Sequence, residues 1–137
     1  MQVSPRQISD DLMLLLKHIK SGAEQLAEKY GLTHVQLYVL RAIDRGDMTM
    51  RQVASQLRCD ASNVTGLIDR LVALGLVERH ESEEDRRAKK LSLTSQGRKI
   101  LKQASDELPN VLGCDKLGPS ERATLHELIN RLVQVAE

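Results

Sequence analysis

The chain has no phenylalanine and no tryptophan, and its only tyrosines are Tyr30 and Tyr38. It therefore lacks the stacking platforms that hold single-stranded nucleic acids, an absence that does not exclude duplex DNA. Cysteine is nearly as scarce. Cys59 and Cys114 lie far apart without a Cys-x-x-Cys spacing, a pattern that predicts small buried hydrophobes in a reducing compartment and no structural disulfide. No run of eighteen apolar residues occurs, and Met1-Gln2-Val3-Ser4-Pro5 is not a basic start followed by an apolar stretch. No membrane partner is expected, and the expected location is cytoplasmic. Excess charge of one sign is missing too: 20 Lys and Arg stand against 19 Asp and Glu, a formal net charge of +1. Polyanion binding must then come from a local basic surface. A Gly-rich phosphate loop, a nucleophile elbow and paired catalytic signatures are all absent, so no enzyme and no cofactor are expected. His18, His34, His80 and His126 are scattered with no His-x-x-x-His pair, so no metal site is assigned.

What the chain does have is 137 residues, 41% of them hydrophobic and almost all of those aliphatic, with 28% charged. Such a composition predicts one compact unit spanning 1–137. From Ile8 to Tyr30 the residues Ile8, Leu12, Leu15, Ile19, Leu26 and Tyr30 recur at helical spacing and mark one long amphipathic helix stopped by Gly31. Thr33 with Gln36 is a capping box that opens a second helix with a buried stripe of Val35, Tyr38, Val39, Ala42 and Ile43. Thr49 with Gln52 repeats the box and opens a third, Met50 to Leu57, with Val53, Ala54 and Leu57 inward. After a break at Arg58-Cys59, Asp60 can cap a fourth helix running to about Leu74. Its stripe is Val64, Leu67, Ile68 and Leu71, and Gly75 is its stop.

Leu76 to His80 and Lys89 to Leu93 then read as the strands of a β-hairpin around the charged stretch Glu81 to Ala88. Thr94 caps a fifth helix expected to end before Pro109, because proline disfavours helix in the residue before it. Residues 110–117 read as a loop or broken helix. Pro119 opens a final helix with apolar positions Leu125, Leu128, Ile129, Leu132, Val133 and Ala136. The fold class is mainly α with a small β-hairpin wing.

The third and fourth helices fit a helix-turn-helix, with Ala54 at the crossing, Cys59 in the turn and Val64 anchoring the second helix. Ser62, Asn63, Thr65 and Arg70 lie off the apolar stripe with Ala61, Gly66 and Asp69, and offer short polar groups to base edges and phosphates. The competing reading is an ordinary solvated helix face. The hairpin favours DNA, since Arg86, Arg87, Lys89 and Lys90 crowd a projecting loop that can reach phosphates or a narrow minor groove. Glu81, Glu83, Glu84 and Asp85 offset those charges, so the acids must point away from DNA or pair with the bases.

These fragments resemble the MarR family of bacterial regulators over nearly the whole chain. The resemblance rests on Leu32-Thr33-x-x-Gln36, Asp60-Ala61-Ser62-Asn63-Val64-Thr65 leading to Ile68-Asp69-Arg70-Leu71, Gly75-Leu76-Val77-Glu78-Arg79, Asp85-Arg86-Arg87, Leu91-Ser92-Leu93-Thr94 and Gly97. It implies a homodimeric winged helix-turn-helix regulator on a pseudo-palindromic duplex site. The DNA-binding region is expected at 33–93 and the dimerisation helices at 5–30 and 95–137. The fourth helix is expected in the major groove and Arg87, oriented by Asp85, at the minor groove; Ala88 stands where the family commonly has Gly or Ser. The resemblance also implies a repressor relieved by a small molecule, with His34, Tyr38 and Arg41 as candidates to line an effector cleft, or by oxidation at Cys59 or Cys114. For Tyr38 the competing reading is a core residue with a satisfied hydroxyl. Two other functions stay open: a metal-responsive regulator, and a winged-helix module that binds protein and not DNA.

Overall fold

The computed structural model describes residues 2–46, 48–57, 61–81, 83–84 and 87–134, and the side chains of 61 and 62 also lie outside the description. Capping chemistry sets where three of the helices begin. Ser4 and Gln7 form a reciprocal box at Pro5, starting α1 (Pro5–Lys29) one turn before the apolar periodicity that begins at Ile8. The expected boxes at Thr33–Gln36 and Thr49–Gln52 open α2 (His34–Asp44) and α3 (Met50–Leu57). Gln36 is buried, and the box is what satisfies its carbonyl there. α4 (Ala61–Ala73) stops at Gly75, which takes φ +75° so that the amides of Gly75 and Leu76 can bond back to Val72 and Leu71.

The chain then enters β2 (Val77–Glu81) and β3 (Lys89–Leu93). A short strand β1 (Met48–Thr49), which the sequence reading did not anticipate, pairs with the other edge of β3 and gives an antiparallel sheet of order β1-β3-β2. Two residues, the second of them the capping threonine itself, carry no alternation to read, so this strand exists only because Met48 and Thr49 find Leu91 and Lys90.

α5 (Ser95–Val111) is seated directly on the end of α4. Thr94 donates its hydroxyl to the Gly75 carbonyl and accepts from the Gly97 amide, while a Cβ at Gly97 would stand 2.2 Å from the Leu76 carbonyl oxygen. Contrary to expectation, α5 runs through Pro109 to Val111. Pro109 removes one hydrogen bond in the last turn, a loss outweighed there by packing. Val111 lies against Gly22 of α1, and one turn earlier Glu107 accepts from the hydroxyl of Tyr30 at 2.7 Å and from Lys29 Nζ at 3.0 and 3.1 Å. A single 3₁₀ turn (Cys114–Lys116) leads into α6 (Pro119–Gln134).

The core gathers Val39, Leu40 and Ile43 of α2, Val53 of α3, Val64, Ile68 and Leu71 of α4, Leu91 and Leu93 of β3, and Leu101 of α5. Of the stripe expected on α2, Val39, Ala42 and Ile43 are buried and Val35 is half-buried, but Tyr38 is 52% exposed and Leu40 takes the interior position. Tyr38 projects from the far side of the helix from Leu40, and its core reading is therefore incorrect. The apolar residues of α1 from Ile8 to Ile19 and those of α6 are all exposed. None of the described helices is long and apolar enough to cross a membrane.

Candidate nucleic-acid interface

α3 and α4 pack on each other beneath the sheet, and their inward residues Val53, Val64, Ile68 and Leu71 fix which face of α4 looks out. Asn63, Thr65, Gly66, Asp69 and Arg70 are exposed on that face, and Ser62 occupies the same helix one residue before Asn63. The helix carries polar, hydrogen-bonding groups outward on a rigid base, as base reading requires. One contact was not foreseen: Arg79 of β2 forms an ion pair with Asp69 of α4 through Nη2 and Oδ1. Both residues stood in the quoted runs, but nothing in a linear pattern says that two side chains ten positions apart meet across the turn at Gly75. The pair links α4 to the strand β2 of the wing.

The wing is β2, β3 and the turn between them. Arg87 is exposed in the turn, Lys89 is exposed at the start of β3, and Lys90 is half-buried beside Thr49. The central position of β3 gives the wing two different edges, with Glu83 and Glu84 exposed in the turn beyond them. Glu81 pairs with Lys89 on the β2 side, whereas the opposite edge of β3 faces β1 and α3. There a cleft of about 680 Å³ is lined by Thr49, Met50, Arg51, Gln52, Arg87, Ala88 and Lys89. Arg86, Asp85, Cys59 and the cap Asp60 lie outside the described residues.

The three effector-cleft candidates all stand on α2 and make different contacts. His34 Nδ1 turns towards Glu24 of α1 at 3.7 Å, Tyr38 is exposed, and Arg41 donates to the Ser105 hydroxyl at 3.5 Å. Arg41 instead lines a groove of about 470 Å³ between α2 and α5 with Arg45, Arg98 and Lys102, where Asp44 is the one acid among the described lining residues. Cys114 is exposed in the 3₁₀ turn after Gly113. Among the described residues no three His, Cys, Asp or Glu side chains gather as metal ligands would.

A helix pair with an outward polar second helix, followed by a hairpin carrying arginine and lysine, defines a winged helix-turn-helix DNA-binding transcription regulator. A model of the MarR family matches residues 30–88. The uncharacterized HTH-type transcriptional regulator YfiV of Bacillus subtilis is 30% identical over 112 residues, covering 80% of this chain and 70% of that protein. Wild-type MarR of E. coli in its apo form superposes with a TM-score of 0.75 at 25% identity, over 96% of this chain and 98% of that one. A mutant of E. coli MarR complexed with operator DNA gives 0.72 at 25% identity, over 91% and 92%. The chain belongs to the MarR family, whose members are transcription regulators and not enzymes.

Proposed function

We propose that the protein is a homodimeric repressor that reads a pseudo-palindromic duplex operator, with α4 in the major groove and the wing in the adjacent minor groove. The observation that carries this reading is the division of α4. With Val64, Ile68 and Leu71 buried, Asn63, Thr65 and Arg70 lie exposed on the opposite side of the helix, and Arg87 and Lys89 are exposed on the neighbouring wing. Ser62 and Arg86 are assigned to the same interface, and Asp85 to orienting Arg87, from their sequence positions. The crystallisation of a MarR mutant with operator DNA supports the assignment by analogy of fold.

The DNA-binding region is residues 33–93, and residues 5–30 with 95–137 supply dimerisation, because α1 and α6 carry apolar faces that this chain alone does not cover. Relief of binding by a small anion fits the basic groove around Arg41, where a ligand would join α2, which leads into the helix-turn-helix, to α5, which leads out of the wing. An oxidative signal would act first on the exposed Cys114.

Selection of bound fragments from random duplex DNA tests the proposal. An inverted repeat is the expected product, and Asn63→Ala should cost about 1–3 kcal/mol on it if Asn63 touches a base directly. Equal affinity for selected and scrambled duplexes overturns the reading.

A further inference from the structure

The cleft between α3 and the wing has a role beyond the residues assigned so far. Its described lining holds three cations, Arg51, Arg87 and Lys89, and no carboxylate. Two features of the chain create it. β1 ends at Thr49 and α3 begins at Met50, so one chain leaves the sheet there while β3 extends one residue past the paired Lys90 to Lys89 and on towards the wing turn. In the strand order β1-β3-β2, Glu81 lies on β2 as the register partner of Lys89 and is not among the described residues that line the opening. The Thr49–Gln52 capping box fixes the first turn of α3, with Thr49 N to Gln52 Oε1 at 2.9 Å and Gln52 N to Thr49 Oγ1 at 3.2 Å, and this turn carries Arg51 into the same cleft lining as Lys89.

Geometry says what passes through such a cleft. A protein with one element in the major groove and another in the adjacent minor groove must straddle the sugar-phosphate strand that separates them. The cleft is walled on one side by the Arg87 turn and on the other by the first turn of α3, the helix that packs on α4, so both groove-entering elements are joined to its walls. We infer that Arg51 is a phosphate-positioning residue, which with Lys89 brackets a backbone phosphate of the duplex and sets the register at which Asn63 and Arg87 meet their grooves. The inference rests on the groove assignment proposed above.

A phosphate seat has a signature that base reading lacks: it acts on any sequence and through counterion release. Arg51→Ala should weaken binding to the selected operator and to a scrambled duplex by the same factor. It should also lower the slope of log affinity against log salt by about one per subunit, or about two for a dimer on both half-sites. Arg51→Lys, which keeps a point charge able to meet a phosphate, should restore most of that slope, whereas Arg51→Gln should not. Arg51 is exposed, so thermal unfolding of these variants should match the parent.

An unchanged slope in Arg51→Ala, or a loss confined to the operator, overturns the inference. So does a slope in Arg51→Lys as low as that of Arg51→Ala. Failure of the underlying reading looks different, because it removes operator preference from the parent itself, while the Arg51 slope can still be measured on any duplex.

Discussion

α4 and α6 are both amphipathic helices with similar numbers of aliphatic residues, and the structure treats them in opposite ways. In α4, Val64, Ile68 and Leu71 are at most 1% exposed, enclosed by α2, α3 and the sheet. In α6, Leu125, Leu128, Ile129, Leu132 and Val133 are 42–61% exposed, and none of the described residues of this helix is buried. α1 shows both conditions along one helix: Leu26 and Ala27 are in the interior, while Ile8, Leu12 and Leu15 are open. Helical periodicity therefore states that a face must be covered and is silent about what covers it. The region around α4 supplies its own cover. The region of α1 and α6 leaves an apolar surface uncovered, which the second copy proposed above would cover, and the two regions should fail in different ways when disturbed.

The sharpest separation comes from paired truncations. Leu91 is fully buried at the centre of the sheet, with Met48 and Arg79 on either side in register, so Leu91→Ala should cost about 2–5 kcal/mol at every protein concentration. Urea unfolding monitored by circular dichroism measures it. If the loss depends on protein concentration, the α4 region is not self-sufficient. The opposite behaviour is expected at the other end, where Leu12→Asp combined with Leu132→Asp should convert a dimer to a monomer in sedimentation, because a carboxylate cannot be buried unpaired in an apolar interface. An unchanged dimer would place the interface elsewhere.

The same contrast explains what could be read before folding. Caps, stops and stripes are local, so the boundaries of α3 and β3, the start of α6 at Pro119, the boxes at Thr33 and Thr49 and the stop at Gly75 were all legible, while Ala136, expected in α6, lies outside the described residues. Pro109 was misjudged because its local penalty is small in a last turn that also packs Val111 against Gly22. β1, the Asp69–Arg79 pair and the basic groove of Arg41, Arg45, Arg98 and Lys102 were invisible, since each joins residues from separate elements. The candidate DNA residues were legible as chemistry. Their common side was not, nor was the position of β3 between β1 and β2, which places Lys89 beside Glu81 on one edge and the cleft with α3 on the other.

The smallest effect expected lies where the two regions join. Tyr30 and Lys29 at the end of α1 converge on Glu107 of α5, and the hydrogen bond from the Tyr30 hydroxyl, followed by that from Lys29, holds the Glu107 carboxyl below the usual carboxylate range. The hydrogen bond to Glu107 also raises Lys29 and Tyr30 above their ordinary values. A carboxylate with a lowered pKa stabilises the fold above its unfolded value, about 4.3, and that contribution is lost as pH falls through the lower folded value. For Lys29 and Tyr30 the sign is reversed. Their contribution is complete below about pH 10 and is lost as pH rises through the raised values. The cluster should therefore hold α1 to α5 most firmly across the neutral range and weaken at both extremes. Glu107→Gln removes the charge and keeps an acceptor for Tyr30, so the difference in Tm between parent and variant should be small, largest near pH 7, and narrower near pH 3 and above pH 11. Salt should reduce the Lys29 part, which is exposed, and leave the Tyr30 bond. A difference in Tm that stays constant from pH 3 to pH 7 would show that Glu107 acts through packing alone, and the junction would then be held only by contacts such as Val111 on Gly22.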